Sequence, residues 1–339
     1  MLSSYNLCVI IIITHLISIR NKRESELFMN WIILNIRKIA HHKNPFHFTI
    51  HLLKSKLIFI LGKNIKTVLP LSLFKYRRQN YYLHYAPNQF SQVLYTYPDI
   101  IRDPDDEEFL KAYLKPGDSY LDIGANIGTT TLCAATTISK NSHIKTGMVI
   151  AYEAHPQTFI YLTRSILNNP KIIPCIITRN IALGDKEGVL GFSNIKNHDD
   201  INHVLPNTTN NLNKNYLEVP VKRLDDELTF SKIDLIKIDV EGYELQVFNG
   251  AKSTLSKTSA IFFEIYDKNT EIFGYKTTEI INLLENIGFI IYKIDIVKNT
   301  LLKIDSEQYL GSPQCENMIA VRNEAEILSR TGYSLLHTI

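Results

Sequence analysis

Acidic residues follow two apolar stretches of this chain, at positions where a folded protein can use carboxylates to bind a ligand. Asp122 lies just before a glycine-punctuated turn, Gly-Ala-Asn-Ile-Gly at 124–128, and a small apolar stretch follows it. Asp239 and Glu241 come at the end of residues 233–240, the clearest buried-strand pattern in the sequence. Carboxylates can neutralise a cationic ligand, accept hydrogen bonds from hydroxyls or take up a proton. The pattern therefore predicts a nucleotide-type site, in which a glycine turn precedes a helix.

The glycine turn favours one cofactor over two phosphate-containing alternatives. A P-loop needs a Gly-Lys-Ser/Thr ending, which is absent, and a dinucleotide fingerprint needs a middle glycine where this chain has Asn126. Asp122 would repel a nearby pyrophosphate but suits the ammonium and sulfonium groups of S-adenosylmethionine. Glu153 follows Gly128 by 25 residues and ends the next predicted strand, where an acid accepts hydrogen bonds from ribose hydroxyls. Because NAD also carries ribose, Glu153 alone leaves both cofactors open.

The elements that position these residues alternate between strand and helix from about Asp105 to Ile296, which predicts a doubly wound α/β sheet. Val189–Phe192 is expected to pair in a hairpin across the turn 184–188, and the Asn-rich segment 194–215 to form a long loop or lid. The aromatic stretch 74–97 predicts one or two leading strands. The other predicted strands are 119–123, 148–152, 172–177, 219–224, 233–240, 260–265, 289–296 and 317–321, and the predicted helices are 103–114, 129–135, 158–168, 243–255 and 277–286.

Five motifs occur in an order that resembles the FkbM-type methyltransferases. They are Asp-Ile-Gly-Ala-Asn-Ile-Gly at 122–128, Glu-Ala-His-Pro at 153–156, Asn-Ile-Ala-Leu-Gly-Asp at 180–185, Arg-Leu-Asp-Asp at 223–226 and Ile-Lys-Ile-Asp-Val-Glu-Gly-Tyr-Glu at 236–244. The resemblance covers about Asp103 to Val321. It implies a class I, Rossmann-like fold with a mostly parallel seven-stranded sheet. It also implies S-adenosylmethionine-dependent methyl transfer, typically to a hydroxyl oxygen.

The resemblance also implies which residues bind the cofactor. The glycines would let the backbone close over the methionine half, and Asp122 would place the amino group directly or through water. Asn126 would bind the ligand or brace the turn, and Asn180 would contact the adenine or cap the end of its strand. The full predicted set is Asp122, Gly124, Asn126, Gly128, Glu153, Asn180 and Ala182.

Asp239 and Glu241 are the predicted catalytic pair, placed beside the transferring methyl group to orient the acceptor hydroxyl or take its proton. A purely structural alternative exists, because Lys237 points to the same face two residues earlier and can pair with Asp239. Glu244 is interpreted as helix surface, and His155 as a surface histidine rather than a base.

The remaining polar candidates indicate structural roles and no metal site. Glu264 ends a predicted strand and is expected to face the same cleft edge, whereas Asp225 and Asp226 are expected to cap the turn before the next helix. The cysteines lack the paired spacing of a zinc site or a disulfide framework, which favours reduced thiols in a cytoplasmic protein. They are Cys8, Cys133, Cys175 and Cys315.

Positive charge is concentrated at the start of the chain. Residues 1–100 hold 13 lysines and arginines against 3 acidic residues, although the whole 339-residue chain has a net charge of only +3. We expect a basic extension over residues 1–90, a methyltransferase domain over residues 91–330 and a tail over residues 331–339. Its apolar stretches are too short or too broken to span a bilayer. The extension is therefore expected either to lie on an anionic membrane or to stay loosely structured.

The predicted function is methylation of a hydroxyl oxygen on a sugar, a lipid-linked molecule or a small molecule, in a cytoplasmic protein that can associate with membranes. No zinc-finger, RNP or basic-zipper pattern supports nucleic-acid binding. Two alternatives stay open: a nicotinamide-dependent oxidoreductase, and a non-catalytic membrane-associated binding protein that keeps the fold. The sequence predicts neither the acceptor nor the oligomeric state.

Overall fold

The structure is a computed structural model that describes residues 73–76, 81–84, 104–139, 147–193, 204–205, 216–227, 229, 231–295 and 298–336. The chain divides into two compact units, Met1–Thr67 and Val68–Ile339, and every described residue belongs to the second. Most of the predicted basic extension, including its apolar stretches and Cys8, therefore lies outside the described residues. Among the residues described, no helix has the length and apolarity needed to cross a membrane.

Strands and helices alternate through most of the described residues. The strands are β1 (Leu73–Tyr76), β2 (Tyr81–His84), β3 (Ser119–Ile123), β4 (Met148–Tyr152), β5 (Ile176–Arg179), β6 (Ala182–Leu183), β7 (Gly188–Ser193), β8 (Tyr216–Lys222), β9 (Ile233–Ile238), β10 (Thr258–Ile265), β11 (Ile290–Asp295), β12 (Thr300–Lys303), β13 (Glu316–Val321) and β14 (Ser334–Leu336). The helices are α1 (Pro104–Tyr113), α2 (Thr129–Ile138), α3 (Pro156–Leu167), α4 (Leu224–Glu227), α5 (Glu244–Asn249), α6 (Lys252–Leu255), α7 (Asp267–Ile272), α8 (Thr277–Asn286) and α9 (Glu324–Thr331).

The main sheet has nine strands in the order β14-β12-β11-β13-β10-β9-β3-β4-β5. From β10 to β5 all neighbours are parallel, whereas β13 is antiparallel to both β10 and β11. The predicted doubly wound, mostly parallel sheet is confirmed, with nine strands instead of seven because β12 and β14 extend the edge beyond β11. The carboxyl ends of β3, β4, β9 and β10 meet at one edge, which is where open α/β sheets bind ligands.

Apolar side chains bury both faces of this sheet. Tyr120 of β3 packs with Phe109 of α1 on one face, and the next residue, Leu121, packs with Phe248 of α5 on the other. Successive side chains of a strand point to opposite faces, so a strand covered on both sides reads as a continuous apolar run. This double burial explains why residues 233–240, which contain β9, have the clearest buried-strand pattern in the sequence.

The compact body extends past both predicted domain boundaries. Before residue 91, Tyr81 and Leu83 of β2 are buried in the same core, and the Tyr82 amide donates to Asn169 Oδ1 at 2.9 Å. After residue 330, β14 pairs with β12 in the main sheet. The predicted tail 331–339 therefore contributes a strand, and the predicted boundaries of 91 and 330 need correction.

Three strands form a separate sheet, in the order β6-β8-β7, that is not hydrogen-bonded to the main sheet. β7 pairs antiparallel with β8 and not across the turn 184–188, so the predicted hairpin is wrong. The predicted strand 172–177 is instead a 3-10 turn at Ile173–Cys175 followed by β5, consistent with Pro174 having no amide to donate. The proposed lid 194–215 lies outside the described residues except for 204–205, where Val204 bridges to Phe192.

Candidate functional site

The glycine turn after β3 is held between the ends of its two neighbouring strands. The amides of Gly124 and Ala125 donate to the Tyr152 carbonyl at 3.0 and 2.9 Å. Gly124 has a φ of +87°, and a Cβ added there would lie 1.8 Å from the carbonyl oxygen of Asp239. Only glycine combines this left-handed backbone with so close an approach. The turn thus lies directly against the chain that carries the predicted catalytic residues.

Asp122 is fully buried beneath this turn. Its Oδ2 accepts hydrogen bonds from the hydroxyls of Thr130 at 2.9 Å and Thr131 at 2.5 Å, both in the first turn of α2. Burial raises the pKa of the Asp122 carboxyl, opposed by the nearby Lys237 charge and by these hydroxyl donors. These contacts join β3 to the start of α2. The predicted contact of Asp122 with a cofactor amino group stays a prediction.

Glu153 and Asn126 meet where β4 ends. The carboxylate of Glu153 accepts hydrogen bonds from the Asn126 amide at 2.9 Å and the His155 amide at 2.8 Å. Burial raises the pKa of Glu153 to about 7, although these two amides lower it. The side-chain Oδ1 of Asn126 is buried with no hydrogen-bond partner among the described residues. A buried acceptor without a partner costs free energy, so this oxygen suits a ligand donor.

Asn180 and Ala182 lie on the segment that follows β5. The Asn180 side-chain amide donates to the carbonyls of Glu153 and Ala154 at 2.8 and 3.1 Å. Ala182 is buried in β6. Asn180 thus fixes the loop after β4, a structural role on the neighbouring strand and not the predicted cap of its own strand. The predicted adenine contacts of Asn180 and Ala182 stay predictions.

Asp239 pairs with a buried lysine at the end of β9. The Lys237 ammonium lies 2.8 Å from Asp239 Oδ2 and 3.5 Å from Asp106 Oδ2. Burial by itself would lower the pKa of Lys237, but the negative charges of Asp239, Asp106 and Asp122 raise it overall. The expected Lys237–Asp239 pair is confirmed. The Asp239 side chain remains 33% exposed, so pairing with Lys237 leaves it accessible to a ligand.

Glu241 lies on the loop between β9 and α5 in an uncommon backbone conformation. Its φ is +55° and that of Gly242 is +99°. Glu241 Oε2 accepts a hydrogen bond from the Asn269 side-chain amide at 2.9 Å. Left-handed non-glycine residues persist only where surrounding contacts hold them, and such residues cluster at functional sites.

Glu244 and His155 are buried, so their interpretation as surface residues is wrong. Glu244 is 3% exposed and accepts hydrogen bonds from the amides of Val240 at 3.3 Å and Gly242 at 3.0 Å. His155 is also 3% exposed, and its Nδ1 caps α3 by accepting from the Thr158 amide. Both residues satisfy backbone amides near the sheet edge.

Three further acids identified in the sequence lie at the sheet edge or near a helix end. Burial, with the charge of Asp239 adding to it, raises the pKa of Glu264 to about 9. Phe263 of β10 is paired in register with Ile238 of β9, so Glu264 and Asp239, the residues that follow them, lie at the same edge of the sheet. Asp225 accepts hydrogen bonds from the amides of Ser253 and Thr254, so it caps α6 rather than the turn before the next helix. Asp226 is exposed and pairs with Arg223 at 3.6 Å.

Sequence reasoning missed Asp106, Asn269 and Tyr275, whose side chains contact the predicted catalytic segment from other elements. None of them belongs to a motif, so only the folded chain reveals their proximity. Within the described part of the chain, no group of three or more His, Cys, Asp or Glu residues could hold a metal ion.

Comparisons with known proteins identify the same region. The model of the methyltransferase FkbM domain matches residues 122–291, half of the chain. A hexuronic acid methyltransferase of Haloferax volcanii, AglP, is 28% identical over 152 residues, which cover 43% of this chain and 54% of that protein. The chain thus spans about half the length of this curated relative.

Two solved structures are similar to the chain at low identity. Methyltransferase FkbM from Methylobacillus flagellatus is 14% identical with a TM-score of 0.39, over 68% of this chain and 54% of that one. An S-adenosylmethionine-dependent O-methyltransferase from Thermotoga maritima is 13% identical with a TM-score of 0.36, over 65% of each chain. The match of the family model extends from the buried Asp122 beneath the glycine turn to β11, and the chain belongs to the FkbM methyltransferase domain family.

Proposed function

We propose that this protein transfers a methyl group from S-adenosylmethionine to a hydroxyl oxygen of an acceptor. The observation that carries the proposal is the charge at the sheet edge. Asp122, Glu153 and Asp239 surround the glycine turn, and Lys237 is the cation paired there. An excess of carboxylates attracts a cationic ligand and repels a pyrophosphate. S-adenosylmethionine carries both an ammonium and a sulfonium group.

The residues at this edge fit the cofactor. Glu153 has a buried carboxylate at the end of β4, where it would accept hydrogen bonds from the ribose hydroxyls. Asn126 Oδ1 lacks a hydrogen-bond partner among the described residues and would accept a hydrogen bond from the ligand. Gly124 and Gly128 would allow the backbone to lie close to the methionine half, while Asn180 and Ala182 would border the adenine.

The chain's own residues would align and deprotonate the acceptor. When bound, S-adenosylmethionine supplies an electrophilic methyl group on a positively charged sulfur. Asp239, partly exposed at the end of β9, would accept a hydrogen bond from the acceptor hydroxyl and orient its oxygen. Glu241, fixed by Asn269, would take up the proton as the new bond forms. Such a displacement depends on alignment more than on a strong base.

The acceptor class follows from the same charges. The negative charges of Asp239 and Glu241 both act at this edge, where they help to raise the pKa of Glu264, and an acceptor carboxylate entering their field would be repelled. A neutral hydroxyl of a sugar, a lipid-linked molecule or a small molecule meets no such penalty. The relative AglP is named for a hexuronic acid, so sugars are the first acceptors to test. A hexuronic acid also carries a carboxylate, which the charges of Asp239 and Glu241 would disfavour, so neutral sugars and uronic acids should be compared directly.

A calorimetric titration of the full chain tests the cofactor. We expect binding of S-adenosylmethionine and none of NAD, with affinity reduced about tenfold or more in Glu153→Gln. Glu218→Gln is the matched control, because Glu218 is an exposed acid on β8 and should bind as the unaltered protein does. Binding of NAD instead would support the oxidoreductase alternative and contradict the proposal.

A second experiment tests methyl transfer. The full chain is incubated with methyl-labelled cofactor and a cell extract, and the labelled product is identified. Label on a hydroxyl oxygen that is lost in Asp239→Asn supports the proposal, whereas label on a carboxylate contradicts the acceptor assignment. Cofactor binding without any transfer to extracts would favour the non-catalytic alternative.

A further inference from the structure

The segment Asp239–Tyr243, called here the catalytic loop, is supported from beneath by a buried carboxylate. Glu244 Oε1 accepts from the amides of Val240 and Gly242 at 3.3 and 3.0 Å. Its Oε2 lies 3.2 Å from the Tyr275 hydroxyl. A single side chain thus binds both ends of the turn that contains Glu241.

The backbone conformation of the catalytic loop requires such support. Glu241 at φ +55° and Gly242 at φ +99° form two consecutive left-handed residues. A non-glycine residue in this region is strained and is kept there by its surroundings. The two amides that Glu244 binds flank Glu241 directly, so releasing them would let the backbone of Glu241 relax.

A second layer of contacts joins this carboxylate to the segment after α7. The Tyr275 hydroxyl donates to the Gly242 carbonyl at 2.8 Å and accepts from the Leu245 amide at 3.4 Å. Gly242 also packs on α7, where an added Cβ would lie 2.5 Å from the Asn269 carbonyl oxygen. The Asn269 side chain in turn binds Glu241. The catalytic loop is therefore fixed on three sides by groups that themselves are buried or hydrogen-bonded.

We propose that Glu244 is a positioning residue, which holds Glu241 and Asp239 in the orientation that the acceptor hydroxyl requires. The proposal rests on the proposed methyl transfer. It gives Glu244 a role in orienting other residues and no part in the transfer of the methyl group or the proton. Burial raises the pKa of Glu244 to about 7, so a neutral side chain of the same shape can also fit. Glutamine should accept from both backbone amides through its oxygen and donate to the Tyr275 hydroxyl through its nitrogen.

Hydrogen exchange followed by mass spectrometry tests the support of the loop without any acceptor. In the full chain, Glu244→Ala should speed the exchange of the amides in residues 239–243 about tenfold or more, because two of them lose their acceptor. Glu244→Gln should keep exchange near that of the unaltered protein. Asp225→Ala is the matched control, since Asp225 also caps backbone amides but at α6. It should leave residues 239–243 unchanged.

Methyl transfer to a cell extract, measured with labelled S-adenosylmethionine, tests the functional half. Glu244→Ala should lower transfer about tenfold or more while the cofactor Kd stays within about threefold, and Glu244→Gln should restore transfer. In a Glu241→Gln background, Glu244→Ala should cause little further loss, because residues that act through one another are not additive.

Three results would overturn the proposal. They are unchanged exchange of residues 239–243 in Glu244→Ala, a transfer loss in Asp225→Ala equal to that in Glu244→Ala, and full additivity with Glu241→Gln. A protein that binds no S-adenosylmethionine would instead refute the proposed function, while the exchange experiment would still report whether Glu244 holds the loop. The two failures are therefore distinguishable.

Discussion

Gly124→Ala should be unusually destabilising for so small a change. Gly124 occupies a left-handed conformation at φ +87°, and the added methyl group would lie 1.8 Å from the Asp239 carbonyl oxygen and 2.9 Å from its carbon. Both atoms belong to backbone that is fixed by the Asp239 amide donating to the Ile123 carbonyl at 3.0 Å. Neither the glycine turn nor the backbone at Asp239 can move without breaking this hydrogen bond between the ends of β3 and β9.

The expected magnitude has two parts. The left-handed backbone costs about 1–2 kcal/mol with a Cβ, and overpacking against fixed atoms costs about 1–3 kcal/mol more. We therefore expect a loss of about 2–5 kcal/mol in the free energy of unfolding, measured by urea titration. Because relief of the clash must displace the turn 124–128, affinity for S-adenosylmethionine should also fall about tenfold or more.

Gly274→Ala is the control that separates the two parts. Gly274 has a similar φ of +78°, but an added Cβ would meet nothing within 4 Å. Gly274→Ala should lose only the contribution of the left-handed backbone to the free energy of unfolding, about 1–2 kcal/mol, and should bind the cofactor as the unaltered protein does. Equal losses in the two variants, or unchanged cofactor affinity in Gly124→Ala, would refute the close packing of the glycine turn against Asp239.

Three further predictions concern charge. Lys237→Met removes the buried ammonium that Asp239 and Asp106 share. It should cost about 2–3 kcal/mol in a urea titration, less than for a fully buried pair because the Asp239 side chain is 33% exposed. The control Lys298→Met, at an exposed lysine, should change nothing measurable. Cofactor affinity should fall from pH 7 to pH 5, by at most about 50-fold, since the Glu153 carboxyl has a pKa of about 7 and its ionised form is the stronger acceptor for ribose hydroxyls. Calorimetry of Glu153→Gln should show no such slope. If the basic extension binds anionic membranes, deletion of residues 1–67 should abolish cosedimentation with phosphatidylserine vesicles at low salt, and unchanged cosedimentation would contradict that role.

Local signals explain what the sequence predicted well. The strand–turn–helix around residues 119–138 depends on a short run that is apolar except for Asp122 and on two glycines, all within 20 residues. The helix Thr277–Asn286 was predicted with its observed bounds because its apolar residues repeat at helical spacing and Gly288 follows it. The Lys237–Asp239 pair was predictable because residues two apart on a strand share a face.

Contacts between distant segments explain what it missed. The burial of Glu244 depends on Tyr275, which is 31 residues away and lies in no motif. The predicted hairpin failed because β7 takes its partner from β8, beyond the long segment 194–215, and not from the strand just before it. A turn between two short strands indicates a hairpin only when no later strand competes for the same edge.

The middle position of the glycine turn shows why departure from a dinucleotide motif need not weaken a binding site. Asn126 adopts φ +50° there, a conformation that asparagine tolerates better than most residues with a side chain. Its amide binds Glu153, and its side chain adds an oxygen that has no hydrogen-bond partner among the described residues. Glycine would supply the backbone shape without that oxygen. In the proposed site, where carboxylates disfavour a pyrophosphate, this oxygen would accept a hydrogen bond from a donor group of the ligand.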